Sequence, residues 1–365
     1  MNGQWFRGLV RELRYPAIDG LRFYAVLLVF QVHAIGLASG FVLGGPLSPD
    51  SESLINRVLF FFADGNNGVD IFFVISGFRV GRMVFGREGR FHYRTFVWKR
   101  FLRIYPAFLA SLLATIGYFW IFDLRRFLGN LLFLNGLPSL GIEGYNWVTW
   151  SLFYEFAYYL ILPMVLLFSR LAGRKGAALI LLGCAIAVLQ TEVFRSVSLF
   201  AGTILAAFDD DKLTTLARRI PLTAALACYF GLALLKSTGN LAALSLSSPA
   251  TYYGLLAACV SLLFVKLAFD VSWLSRVAST PGARVLGTIS YSFYLWHVLS
   301  FMFVLRLIPH LALPPGPSAV ILIIGAFALA ICVSTVSYFL FEQPYFGARK
   351  ASTSTGAAVE LAKAA

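Results

Sequence analysis

Arg22 and, eleven residues later, His33 stand in one apolar stretch, while Arg100 and Arg103 open another behind a basic loop. An imidazole inside a membrane helix is costly to keep there and marks acid–base or proton-relay work. Two guanidiniums three residues apart share a helix face, and their planar forks suit phosphate groups. The combination suggests an enzyme that takes a phosphate-bearing donor at one surface and does acid–base chemistry within the bilayer.

The elements that must position these groups are membrane helices. The chain has 365 residues, 59% hydrophobic and 13% charged, with a mean hydropathy of +0.78. A soluble domain carries about 25% charged residues. The apolar residues come in blocks of the roughly 20 residues needed to cross about 30 Å of hydrocarbon. Ten blocks are predicted as spans, at 18–40, 58–80, 102–122, 147–168, 177–191, 193–208, 220–236, 250–269, 285–306 and 318–341. Residues 127–137 are apolar but too short to cross, and are expected to be re-entrant or interfacial. An open strand in lipid would leave backbone groups unpaired, so the expected fold is an all-α polytopic helix bundle.

Charge sets the orientation. With both termini cytoplasmic, 24 of the 30 lysines and arginines fall on the inner side, as the positive-inside rule requires. That assignment uses Arg7, Arg11 and Arg14 before the first span and treats the basic N-terminus as an uncleaved signal anchor. The net charge of +13 is distributed between hydrophobic spans. No soluble face is left for a nucleic-acid groove, so nucleic acid is excluded as a partner and the lipid bilayer is the expected surroundings. Residues 1–346 read as a single membrane-embedded domain, and 347–365, rich in Ala, Ser and Thr, as a disordered cytoplasmic tail. Cys184, Cys228, Cys259 and Cys332 lie in apolar runs without paired or metal-like spacing. They read as small buried hydrophobes, and no metal site is expected.

Helix rise places the ionisable groups in depth. His33 is about 21 Å above Asp19, Glu155 about 12 Å below the outer end of a span starting at Trp147, and His297 about 18 Å above Val285. Three groups on three helices are therefore expected at similar depth. A carboxylate such as Glu155 beside His33 would fix the imidazole tautomer and raise its basicity. The alternative is that these groups only satisfy one another in helix packing. Tyr294 and Trp296, next to His297, suit packing or cavity lining. Arg100 and Arg103, with Lys99, sit where their span enters the lipid; ligand binding competes there with plain topology setting, which suffices for Arg87, Arg90 and Arg94. Asp70 lies in the aromatic run Asp70-Ile71-Phe72-Phe73 and must face a wet cavity or pair with a cation. Ser76-Gly77 fits a close small-residue helix contact.

Together these stretches resemble the bacterial acyltransferase-3 family of membrane O-acyltransferases. The matching residues are Asp19-Gly20-Leu21-Arg22 with His33, Val69 to Phe78, and Arg100-Phe101-Leu102-Arg103-Ile104-Tyr105-Pro106. Trp147 to Phe156, Ser290 to His297, and Phe341-Glu342-Gln343-Pro344-Tyr345 follow in the family's order. The resemblance implies ten helices in a bacterial inner membrane and acyl-CoA, commonly acetyl-CoA, as donor. It further implies transfer to a hydroxyl on a cell-surface or secreted glycan such as an O-antigen or exopolysaccharide, by a stand-alone type without a fused hydrolase-like domain. It gives His33 the catalytic role and counts Arg22, Arg100 and Arg103 among the functional cations. The rival reading is a proton-coupled transporter or flippase of a glycan precursor, since intramembrane His and Glu also serve as proton relays. Against it, the chain shows no convincing inverted repeat.

Overall fold

The computed structural model describes residues 15–44, 47–48, 53–63, 67–85, 92–241 and 244–344. Arg7, Arg11, Arg14, Arg87, Arg90, Tyr345 and the tail 347–365 lie outside the described residues. The described residues are helical throughout their regular elements. Helix α1 (Pro16–Leu43) starts on a proline, whose fixed φ suits a first helical turn, and ends at Gly44 with φ 65°. Helices α2 (Leu54–Ala63) and α3 (Gly68–Phe85) follow, then α4 (Tyr93–Phe119), which contains Pro106. Helix α5 (Leu124–Leu131) is capped by Asp123, which accepts from the Arg126 amide at 2.6 Å. Two 3₁₀ turns lead into α6 (Trp150–Val188), broken at Gly173, where φ is 67°. A 3₁₀ turn at Phe194–Ser196 leads into α7 (Val197–Ala206), then α8 (Asp210–Arg219) and α9 (Leu222–Ser237). Helices α10 (Pro249–Phe269), α11 (Trp273–Ala278), α12 (Pro281–Thr288) and α13 (Ser290–Leu307) precede α14 (Pro315–Ser337), which runs into a π-helical turn at Tyr338–Glu342.

By length and composition seven of these stretches can cross a bilayer, or eight if α8 and α9, bent by 81°, form one broken span. The apolar block 58–80 divides between α2 and α3. The blocks 147–168 and 177–191 are two arms of α6, parted by the break at Gly173, and the second arm, Leu171–Val188, is by itself long and apolar enough to cross. The block 193–208 becomes a 3₁₀ turn and the ten-residue α7, only about 15 Å of helix. Residues 127–137 fold as the end of α5 and 3₁₀ turns. The four cysteines are free; Cys228 and Cys332 are exposed on the helix surface rather than buried.

Close backbone contacts set the helix register. A Cβ on Gly77 would lie 2.0 Å from the Leu199 carbonyl oxygen, and one on Gly202 2.1 Å from that of Val74. Helices α3 and α7 therefore meet backbone to backbone, the small-residue contact expected of Ser76-Gly77, and gain dispersion energy that lipid cannot offer. A Cβ on Gly20 would lie 1.8 Å from the Ala278 carbonyl oxygen. The start of α1, with Asp19 and Arg22, is thereby pinned against α11.

Candidate active site

The eleven residues from Arg22 to His33 make about three turns, so both side chains leave the same face of α1, roughly 16 Å apart. His33 is half-buried and His297, on α13, is fully buried. His33 Nδ1 lies 2.8 Å from the Val29 carbonyl oxygen and 3.3 Å from His297 Nε2. His297 Nδ1 lies 2.8 Å from the Tyr294 carbonyl oxygen and 3.2 Å from that of Phe293. Carbonyls only accept, so in the neutral rings both Nδ1 atoms carry the proton, an assignment made from the hydrogen-bond network. His33 then donates from Nδ1 to Val29, with His297 Nε2 as second acceptor, and its own Nε2 bears the free lone pair. Phe30, stacked on Phe301 with centroids 4.7 Å apart, and Phe293, parallel to His297, close the pair from behind. Such a ring can take a proton from a hydroxyl or accept an acyl group, and its developing positive charge would be shared with His297.

Four arginines gather toward the other end of α1. Arg79 Nη1 pairs with Asp19 Oδ1 at 3.4 Å. Arg22 lies within electrostatic range of Arg103, Asp19, Glu342 and Glu155, and Arg79 within range of Arg22, Asp19, Arg103 and Arg100. The Arg100 guanidinium stacks over Phe96 at 5.2 Å and Tyr159 at 5.6 Å. All four are only partly buried. This arrangement can hold a multiply phosphorylated ligand by bidentate contacts. Lys99, expected beside Arg100 and Arg103, is exposed on α4. It stands four residues before Arg103, one turn away and about 40° from it around the helix.

Glu155 joins the cationic end rather than the imidazoles. Its Oε1 accepts from Ser76 Oγ at 2.7 Å and Tyr159 Oη at 2.5 Å. The sequence-based depth assumed that its span starts at the membrane surface. In the structure Asn146, Val148 and Thr149 are 1–3% exposed, and Asn146 Nδ2 donates to the Leu295 carbonyl at 2.8 Å. Helix α6 thus begins inside the bundle, level with Tyr294 and Leu295, and Glu155 descends roughly 10 Å further from Val148.

Tyr294 is held from two sides: its hydroxyl donates to the Val148 carbonyl at 2.6 Å and lies 2.8 Å from Ser151 Oγ. Its carbonyl orients His297, so it lines the histidine pair. Asp70 is fully buried and pairs with Arg195 Nη2 at 2.5 Å, with Ser198 Oγ donating at 3.0 Å. Arg195 in turn sits over Trp150 at 4.8 Å and Tyr253 at 5.1 Å. The cation that Asp70 requires is thus intramolecular and joins α3 to the turn before α7. Among the described residues no three His, Cys, Asp or Glu side chains come together as a metal site. Sequence reasoning missed Arg79, Arg195 and Tyr159, and set Ser76 aside as packing. The available signals were Arg79 nine residues after Asp70, two or three turns along one helix, and Tyr159 four residues after Glu155.

Comparison with known proteins places this helix bundle in a family. Residues 15–338 match the family model described as acyltransferase domain. The chain belongs to the acyltransferase-3 family and is a multi-pass membrane protein. Similar proteins include the acyltransferase MdmB of Streptomyces mycarofaciens, 30% identical over 42% of this chain and 40% of that protein. A protein named as a membrane-bound transacylase, BcsY of Komagataeibacter xylinus, is 27% identical over 89% of this chain and 81% of its own length. A protein named as a peptidoglycan O-acetyltransferase, YrhL of Bacillus subtilis (strain 168), is 25% identical over 77% of this chain and 48% of its own length. The match thus spans less than half of MdmB and of YrhL. No solved structure matches.

Proposed function

We propose that the chain is a membrane O-acyltransferase that moves an acyl group, acetyl in the simplest case, from acyl-CoA at the cytoplasmic face to a hydroxyl of a cell-surface or secreted glycan. The observation that carries this is the tautomer of His33: the Val29 carbonyl and His297, itself held by the Tyr294 carbonyl, both face its Nδ1 and leave Nε2 as a free base. Three turns down the same helix face stands the arginine cluster. In this reading Arg22, Arg100 and Arg103 hold the donor's phosphates, and the pantetheine arm reaches up toward His33. His33 deprotonates the acceptor hydroxyl or carries the acyl group transiently. Glu155, held by Ser76 and Tyr159, balances the arginines. Lys99, exposed one turn before Arg103, adds a cation at the edge of that site.

The topology proposed with it keeps both termini cytoplasmic and ten crossings, counting each arm of α6 and the short α7 with its 3₁₀ turn. Residues 1–346 act as one membrane domain. The inner position of most basic residues supports it, as does the likeness to proteins named as a transacylase and a peptidoglycan O-acetyltransferase. The test is purified protein with acetyl-labelled acetyl-CoA and a panel of bacterial surface glycans. Label on the protein or glycan is expected, and mass spectrometry of cells lacking the protein should show a lost ester. Uptake of a glycan precursor without label transfer would overturn the reading in favour of transport.

A further inference from the structure

Beside the arginine cluster one buried charge has no task in the scheme above. Glu342 closes the π-helical turn at Tyr338–Glu342 and is 1% exposed. Ser292 Oγ donates to its Oε1 at 2.6 Å and also lies 3.0 Å from Ser337 Oγ. Its other oxygen, Oε2, is buried and has no hydrogen-bond partner. A buried carboxylate oxygen left unsatisfied is expensive, and such groups call for an explanation. A π-turn is itself a rare feature that appears mostly at functional places.

The surroundings supply the explanation. Glu342 lies within electrostatic range of Arg103 and Arg22, which also face each other as like charges. Tyr291 Oη, next to Ser292, donates to the Ile104 carbonyl at 2.8 Å and so fixes α13 against the Arg103 turn of α4. Three carboxylates answer the four arginines, but they are not equivalent. Asp19 is engaged by Arg79, and Glu155 accepts from both Ser76 and Tyr159. Glu342 alone of the three has a buried oxygen without a hydrogen bond.

We infer that Glu342 is the resident counter-anion of the donor site: its charge offsets Arg22 and Arg103 while the site is empty and competes with the donor's phosphates for them, so that the spent carrier can leave. This rests on the proposed donor role of the arginines. Glu342 is a positioning residue, acting through the guanidiniums.

The rival role is a clip: Ser292 and Glu342 would simply tie α13 to the end of α14. The test measures binding of coenzyme A itself, which carries no acyl group and cannot turn over, to the purified full chain. Glu342→Gln keeps an acceptor for Ser292 and deletes the charge. It should bind coenzyme A about tenfold more tightly, the effect of removing one competing charge from a partly desolvated site. Its turnover at saturating donor should fall, because product release slows. Glu342→Asp, which draws the carboxylate back, should shift affinity less and in the same direction, so the outcome does not hang on one variant. Ser292→Ala keeps the charge and should leave affinity near wild type. Unchanged or weaker binding in folded Glu342→Gln, or a Ser292→Ala variant that reproduces its effect, overturns the inference. Arg103→Gln binding coenzyme A as well as wild type would instead remove the donor-site reading beneath it.

Discussion

The histidine pair and the arginine cluster stand on the same face of α1 but are built in opposite ways. Around His33 and His297 every fixed contact is neutral: backbone carbonyls set the protons and aromatic rings fill the space behind them. Around Arg22, Arg79, Arg100 and Arg103 the contacts are charged and balanced by Asp19, Glu155 and Glu342. A rigid, neutral place with one free lone pair suits bond making. A place with several charges in balance suits capture and release of an anion. If that division holds, changes at one end should alter turnover and changes at the other donor affinity.

The sharpest way to break it is His33→Ala. Loss of a general base or nucleophile typically costs about a hundred- to ten-thousandfold, and turnover should fall in that range. Coenzyme A binding should stay at the wild-type level, since the arginines are three turns away. A variant with near-normal turnover removes His33 from the chemistry. Loss of binding along with turnover would mean that the two regions are one.

The converse changes are Arg100→Ala and Arg103→Ala. Each should raise the donor KM about ten- to hundredfold, the worth of a charged hydrogen bond to phosphate, with kcat little changed. Added salt should weaken wild-type donor binding more than that of either variant. A fall in kcat at unchanged KM would place these side chains in the wrong half of the comparison.

His297 refines the neutral half. Its Nε2 is an acceptor for His33 Nδ1, so His297→Phe should lower kcat about tenfold, the value of one hydrogen bond that orients the base. His297→Gln offers an amide oxygen as acceptor and should recover most of the loss. If Phe and Gln behave alike, the second ring is packing, and His33 is oriented by Val29 alone.

How much of this division can be read from the chain depends on what each signal measures. The polar residues of α1 are legible because costly groups in an apolar run stand out, and their eleven-residue spacing fixes a shared face. His297 is legible for the same reason, and the structure does bring it to His33. Glu155 is legible as important but not as to place: its depth depends on where α6 starts, and that start is buried through Asn146 and Leu295, two segments far apart in sequence. The pairings Asp70–Arg195 and Ser292–Glu342 join residues 125 and 50 positions apart, and no local pattern specifies them. The span count suffers likewise. Hydropathy sees apolar blocks and so parts the two arms of α6 around Gly173, whereas the 81° bend between α8 and α9 is a backbone event that leaves little trace in composition.

The smallest effect comes from a charge pair outside both regions. At the end of α10, Lys266 Nζ binds the Asp270 carboxylate and also donates to the Ala217 carbonyl at 3.1 Å. Asp270 lies just beyond the membrane-spanning segment, and the Lys266 hydrogen bond holds its carboxyl below the ordinary carboxylate value. A group whose pKa is lower in the folded than in the unfolded chain stabilises the fold above the unfolded value and loses that contribution as pH falls through the folded one. The window therefore lies below about pH 4, and the pair should matter by less than about 1 kcal/mol at neutral pH. Asp270→Asn should lower the melting temperature in detergent slightly at pH 7 and remove part of the stability lost on acidification. It should leave donor KM and kcat alone. An Asp270→Asn variant with a raised donor KM would mean that any anion near the inner surface tunes the arginines, and the contrast between an adjustable cluster and its static surroundings would fail.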